Sequence, residues 1–173
     1  MKPDVNQHLQ SMCKAMQEIV LPELADKPFA HEQANLILAT LNLLVEVQEH
    51  QFAYARQEFA DLHCLLGAWL EDHPEHGDTA LRKDFHEASR ASIETGLREL
   101  CDAITQKACL RTLMDGAPLP PDSLIHALLN RYVERQLARE TAWLRRTGFI
   151  PDAGQVPHVS AVLAQQAHIP MQP

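Results

Sequence analysis

Between Pro28 and Gly67 the chain holds neither glycine nor proline, so nothing covalent interrupts a helix there. Across that stretch apolar residues recur every three and then four positions, at Leu38, Leu41, Val45, Phe52, Ala55, Phe59, Leu62, Leu66 and Trp69, with Gln48 as the one polar member. This alternation keeps a single stripe on one side of a slightly supercoiled helix, the seam of a coiled-coil-like bundle. It predicts one long helix over about 29–72. Gln48 reads as a register-setting residue on that seam.

The remaining signals are also helical. Asp4 and Gln7 form a capping-box pattern that opens a helix over about 4–21, and Pro22 and Pro28 bracket the connection that follows it. Asp78 or Thr79 can cap a second long helix over about 79–115, stopped by Gly116 and Pro118. Pro120, Pro121 and Asp122 start a helix over about 122–146, with Asp122 as its N-cap. Aromatic residues make up only 5%, so the core must be aliphatic, which suits helix-on-helix packing. The expectation is an all-α antiparallel bundle over 1–148, with two long central helices and two shorter ones. A proline-containing tail over 149–173 follows, with one short helix at 158–167 and loose final residues.

Unequal helix lengths sharpen this picture. The two short helices meet at one end of the long pair, where Leu36 to Val45 is apolar nearly all round, as a surrounded helix should be. At the other end a two-helix hairpin would expose Phe59, Leu62, Leu66 and Trp69. These four residues are the expected seam with a second copy, most economically in a two-fold dimer. The alternative is that the long helix breaks and folds back, or that the tail covers the hairpin.

A formal net charge of −8 disfavours duplex DNA and anionic membranes as partners. Cys13, Cys64, Cys101 and Cys109 form no C-x-x-C pair and read as reduced thiols. The start has no apolar signal-peptide core, and the apolar stretch Leu36 to Val47 is too short and too polar to span a bilayer. The expected compartment is the cytoplasm. No P-loop, nucleophile elbow, dinucleotide turn or HExxH pattern is present, which favours a non-enzymatic role over an enzyme.

Candidate sites are few. Asn42, Glu46, Glu49 and His50 share one side of the long helix, and Glu46 stands inside its most apolar segment, where it must be paired, protonated or ligated. No Glu-x-x-His occurs, so a di-iron centre is not expected. His73 and His76 lie in an acidic loop suited to adventitious metal binding. Arg131, Arg135 and Arg139 step by four along one helix, with Arg145 and Arg146 beyond. Such a row either grips an anion or pairs with carboxylates of the protein itself. No cofactor is predicted; an adventitious or single divalent metal is compatible with these side chains.

Ile19-Val-Leu-Pro-Glu-Leu24, followed by Phe29-Ala-His-Glu-Gln-Ala-Asn-Leu36 and an apolar helix, resembles a small uncharacterised bacterial helical family. Its members are encoded beside phosphotransferase-like kinases and acyl-CoA dehydrogenases. The resemblance covers about residues 5–60 and implies an accessory role beside acyl-thioester metabolism. The expected function is that of a non-enzymatic interaction or accessory protein that self-associates through its long hairpin and engages a protein partner. The alternative is a bundle that binds a small molecule, an anion or a metal.

Overall fold

The structure, a computed structural model, describes residues 4–72, 123–147 and 150–172. Among these residues every regular element is helical and none is a strand, so the protein is an all-α helical bundle. The helix expected over 79–115 and the loop carrying His73 and His76 lie outside the described residues. The chain divides into two compact units, the first comprising Met1–Gln51 and Glu140–Val159, the second Phe52–Arg139 and Ser160–Pro173. Residues 149–173, read from sequence as a tail, are thus shared between the two.

In unit 1, helix α1 (Val5–Ala15) starts on the expected capping box. The Gln7 amide donates to Asp4 Oδ1 at 2.8 Å, and the Asp4 amide donates to Gln7 Oε1 at 3.3 Å. The helix then widens into a π-turn over Met16–Val20, closed by the Leu21 amide donating to the Met16 carbonyl. Pro22 supplies the reason. It has no N–H to donate to the residue four back, and its ring crowds that carbonyl, so the preceding turn opens. A short α2 (Leu21–Glu23) follows, and α3 (Pro28–Val47) begins with Pro28 in its first turn, where the missing N–H costs nothing. Cys13, Leu38 and Leu41 form the buried core between the helices, flanked by Leu9, Met16, Leu21 and Val45. Gln48–His50 takes a tighter 3-10 turn before α4 (Gln51–Asp72).

In unit 2, α4 packs with α5 (Leu124–Leu144), and α6 (Val159–His168) is tied to α5 through Gln166. The cap of α5 is Ser123, one residue later than the expected Asp122: helical geometry begins at Leu124, which puts the Ser123 hydroxyl in reach of the His126 amide at 3.1 Å. Helix α5 runs antiparallel to α4, with Gln136 beside Tyr54 and Arg131 nearer Cys64. The core gathers Phe59, Leu62, Leu65, Leu66, Trp69 and Leu70 of α4 with Ile125, Leu128 and Tyr132 of α5. Met171 joins the same core, so the chain is packed as far as that residue rather than loose beyond α6.

Two expectations need correction. Phe59, Leu62, Leu66 and Trp69 are no open seam: all four are buried inside unit 2 of a single chain, in a core they share with α5 residues and Met171. The surrounded segment is also misplaced. From Glu58 to Leu70 helix α4 is buried on nearly every side, whereas Leu36 and Ile37 of α3 are more than half exposed. The physical reason is that hydropathy reports how apolar a helix is, while burial depends on which neighbours reach it.

Candidate functional site

Among the described residues, one carboxylate in each unit is clasped by two arginines. In unit 1 it is Glu46, near the end of α3. Oε1 accepts from Arg145 Nε, and Oε2 accepts from Arg146 Nε at 2.5 Å. Arg145 Nη1 also donates to the Val156 carbonyl at 3.3 Å, which ties the guanidinium to the returning chain. His158 Nε2 lies 3.7 Å from Glu46 Oε1, and the His50 ring meets the His158 ring edge to face at 5.4 Å. The sequence-predicted polar stripe is therefore split. Glu46 turns in to the arginines, His50 sits on His158, and the exposed Glu49 accepts from Asn6 Nδ2 at 3.2 Å.

Burial pushes the Glu46 carboxyl up, but hydrogen bonds and charge from Arg145 and Arg146 together outweigh it and hold the pKa below its ordinary value of 4.5. A depressed carboxylate stabilises the fold above its unfolded pKa, and that stability is lost as pH falls through the folded pKa. Glu46→Gln is therefore expected to lower the melting temperature at neutral pH, with the gap to the parent closing below about 4.5 as both carry a neutral side chain. Paired thermal melts at neutral and acid pH check this; a gap that persists unchanged in acid would assign the loss to something other than the ion pair.

In unit 2 the carboxylate is Asp61, which the sequence reading did not single out. Its Oδ2 accepts from Arg135 Nε at 3.0 Å and Arg139 Nη1 at 2.5 Å, and its Oδ1 accepts from Gln57 Nε2 at 3.2 Å. Arg139 is fully buried, and all three of its nitrogens donate: Nη1 also to Gln166 Oε1 at 2.7 Å, Nε and Nη2 to Gln136 Oε1. Its guanidinium lies 5.8 Å from the Tyr54 ring centroid, over the face that attracts cations. Arg135 Nη1 and Nη2 donate to the carbonyls of Ile169 and Gln166 at 2.7 and 3.1 Å, and Gln166 Nε2 returns a bond to the Arg135 carbonyl at 3.0 Å. This network fastens the C-terminal segment to α5.

The arginine row is thus divided by environment. Arg135 and Arg139 turn inward to a carboxylate of the same chain, while Arg131 stays exposed. Of the two outcomes the row left open, intramolecular pairing holds at Arg135 and Arg139, and both guanidinium groups are engaged inside the protein. A sequence signal for Asp61 did exist: two arginines at i, i+4 on the side of α5 that also carries Leu128 and Tyr132 call for an acid on the facing helix.

Nothing in either cluster is arranged as a nucleophile with its base. The half-buried Cys64 thiol is pushed up by burial and further by the Asp61 charge, the opposite of what a reactive thiolate needs. Burial likewise pushes the Tyr132 hydroxyl up, with Glu58 adding to the effect. Among the described residues no group of three or more His, Cys, Asp or Glu side chains is placed to hold a metal ion. No helix among them is long and apolar enough to cross a membrane. The chain matches no protein-family model, no curated protein and no solved structure.

Proposed function

We propose that the chain is a non-enzymatic interaction or accessory protein that works through exposed apolar side chains of unit 1. The observation that carries this reading is exposure. Phe29 is 76% exposed and Leu36 and Ile37 more than half exposed on α3, as are Val5, Met12 and Ile19 on the helical segment that includes α1. Phe29 and Leu36 stand two helical turns apart on α3, and Val5 and Met12 two turns apart on α1, so each pair lies on one side of its own helix. Exposed apolar stripes of this kind mark contact surfaces. The accessory role implied by the resemblance over residues 5–60 is of the same class.

Association through Phe59, Leu62, Leu66 and Trp69 does not enter this proposal, because their area is already buried within unit 2. A photo-activated cross-linker at Phe29 is expected to trap a defined adduct in cells that make the protein. The same group at Asn42, exposed on the opposite flank of α3, is expected to trap none. Equal labelling at both positions, or none at Phe29, overturns the proposal.

One observation favours a second reading, an anion-binding bundle: two arginines and His158 surround the single carboxylate of Glu46. Native mass spectrometry of untagged protein against a denatured control decides it. Extra mass lost on denaturation supports a bound ligand, and its absence removes this reading.

A further inference from the structure

We infer that Met171 is an oxidation-sensitive latch: its thioether anchors the C-terminal segment in the unit 2 core, and conversion of that thioether to the sulfoxide releases the segment. The device lies wholly in unit 2 and is independent of the exposed side chains of unit 1.

The anchor follows from how α6 ends. The helix stops at His168, and Pro170 has no N–H, so the Gln166 carbonyl four residues earlier lacks its helical donor. Arg135 fills the gap. Its Nη2 donates to the Gln166 carbonyl at 3.1 Å and its Nη1 to the Ile169 carbonyl at 2.7 Å. Both bonds reach main-chain atoms, so they do not depend on the side chains of the segment. Ala167, His168, Ile169 and Pro170 are exposed, and so is Gln172. Met171 is 7% exposed and belongs to the core cluster with Leu62, Leu66, Trp69 and Tyr132. Over residues 167–172 it is the one buried side chain, so burial of this stretch rests on a single thioether.

A thioether is flexible and apolar, which suits it to fill a core. A two-electron oxidant such as hydrogen peroxide changes that character. The sulfur lone pair attacks one peroxide oxygen, the S–O bond forms as the O–O bond breaks, and a proton shift lets the second oxygen leave as water. Sulfur gives up two electrons and the peroxide takes them. The product is a polar sulfoxide. Its oxygen is a hydrogen-bond acceptor, and returning it to an apolar core without a donor is unfavourable. The oxidant reaches the sulfur when the segment opens, and a stretch with one buried side chain among exposed neighbours belongs to the low-stability end of a fold. Oxidation of the open form then prevents its return. Sulfoxide reductases regenerate the thioether, so the release is reversible.

The test treats the full chain with dilute hydrogen peroxide, follows each methionine by peptide mass spectrometry, and reads amide hydrogen exchange in the peptide over 166–172. Met12, 53% exposed, is the internal reference. Met171 is expected to oxidise more slowly than Met12, and its oxidation to speed exchange over 166–172 by about tenfold or more, with exchange across α4 and α5 little changed. Met171→Gln, polar and of similar size, should show the faster exchange without peroxide. Met171→Leu keeps an apolar anchor, so its exchange should match the untreated parent before and after treatment. Sulfoxide at Met171 with unchanged exchange would overturn the inference, as would a peroxide response that persists in Met171→Leu. So would an intact Met171 under conditions that fully oxidise Met12, or exchange that rises equally across α4 and α5, which is global unfolding. If Met171→Gln fails to fold, the parent and Met171→Leu under peroxide decide the matter by themselves.

Discussion

Replacing Asp61 with alanine is expected to cost about 3–5 kcal/mol of stability, read as a lower urea midpoint with an unchanged slope. The magnitude follows from what is left behind. Asp61 is 1% exposed, and its removal strands the fully buried Arg139 and the nearly buried Arg135 without their counter-charge. Their bonds to Gln136, Gln166 and the Ile169 carbonyl remain, but those acceptors carry no formal charge. Asp61→Asn keeps the shape and removes the charge, so it should lose nearly as much. Converting Asp61 to Leu together with Arg135 and Arg139 to Met removes the charges as a set and should recover much of the loss, because an apolar cluster has no desolvation penalty to offset. Domains are stable by only about 5–15 kcal/mol, so the single variant should be marginal while the triple variant should fold. An Asp61→Ala protein within about 0.5 kcal/mol of the parent would mean that the pair is solvated rather than buried.

The same cluster shows where sequence reading succeeds and where it stops. Local chemistry was legible. The Asp4–Gln7 capping box, the helix from Pro28 and the short helix near Val159 all rest on residues within a few positions of one another. The π-turn over Met16–Val20 was not anticipated, although Pro22 is its cause and stood in plain view. The location of the core was misread for a different reason. Glu58 and Asp61 interrupt the apolar pattern of α4, yet it is the most enclosed element among those described. An acid can occupy such a place only when a cation arrives to meet it, and Arg135 and Arg139 arrive from 74 and 78 residues along the chain. Periodicity identifies a buried face but not the helix that covers it. The arginine row announced a need for carboxylates; only the fold says that Asp61 supplies one and Glu46, through Arg145 and Arg146, is a separate clasp.

Truncating Leu62 to alanine is expected to destabilise the protein by about 2–5 kcal/mol, with an unfolding midpoint that does not depend on protein concentration. Leu62 is completely buried in the unit 2 core, so its loss removes transfer energy and leaves a cavity that rigid neighbours only partly fill. Trp69→Ala should fall in the upper part of the same range, since a larger side chain leaves a larger void. Both residues were the expected seam between two copies, and concentration separates the alternatives. If they sat between subunits, mass action would tie folding to association, and about a hundredfold dilution would lower the apparent stability of the parent by about 2.7 kcal/mol. If they sit inside one chain, in the core they share with α5 residues and Met171, dilution changes nothing and the whole cost is a property of the single chain. Denaturation of the parent and of Leu62→Ala across that concentration range therefore reads core against interface directly. A midpoint that moves with concentration in the parent, and ceases to move in the variant, would return these side chains to a subunit boundary.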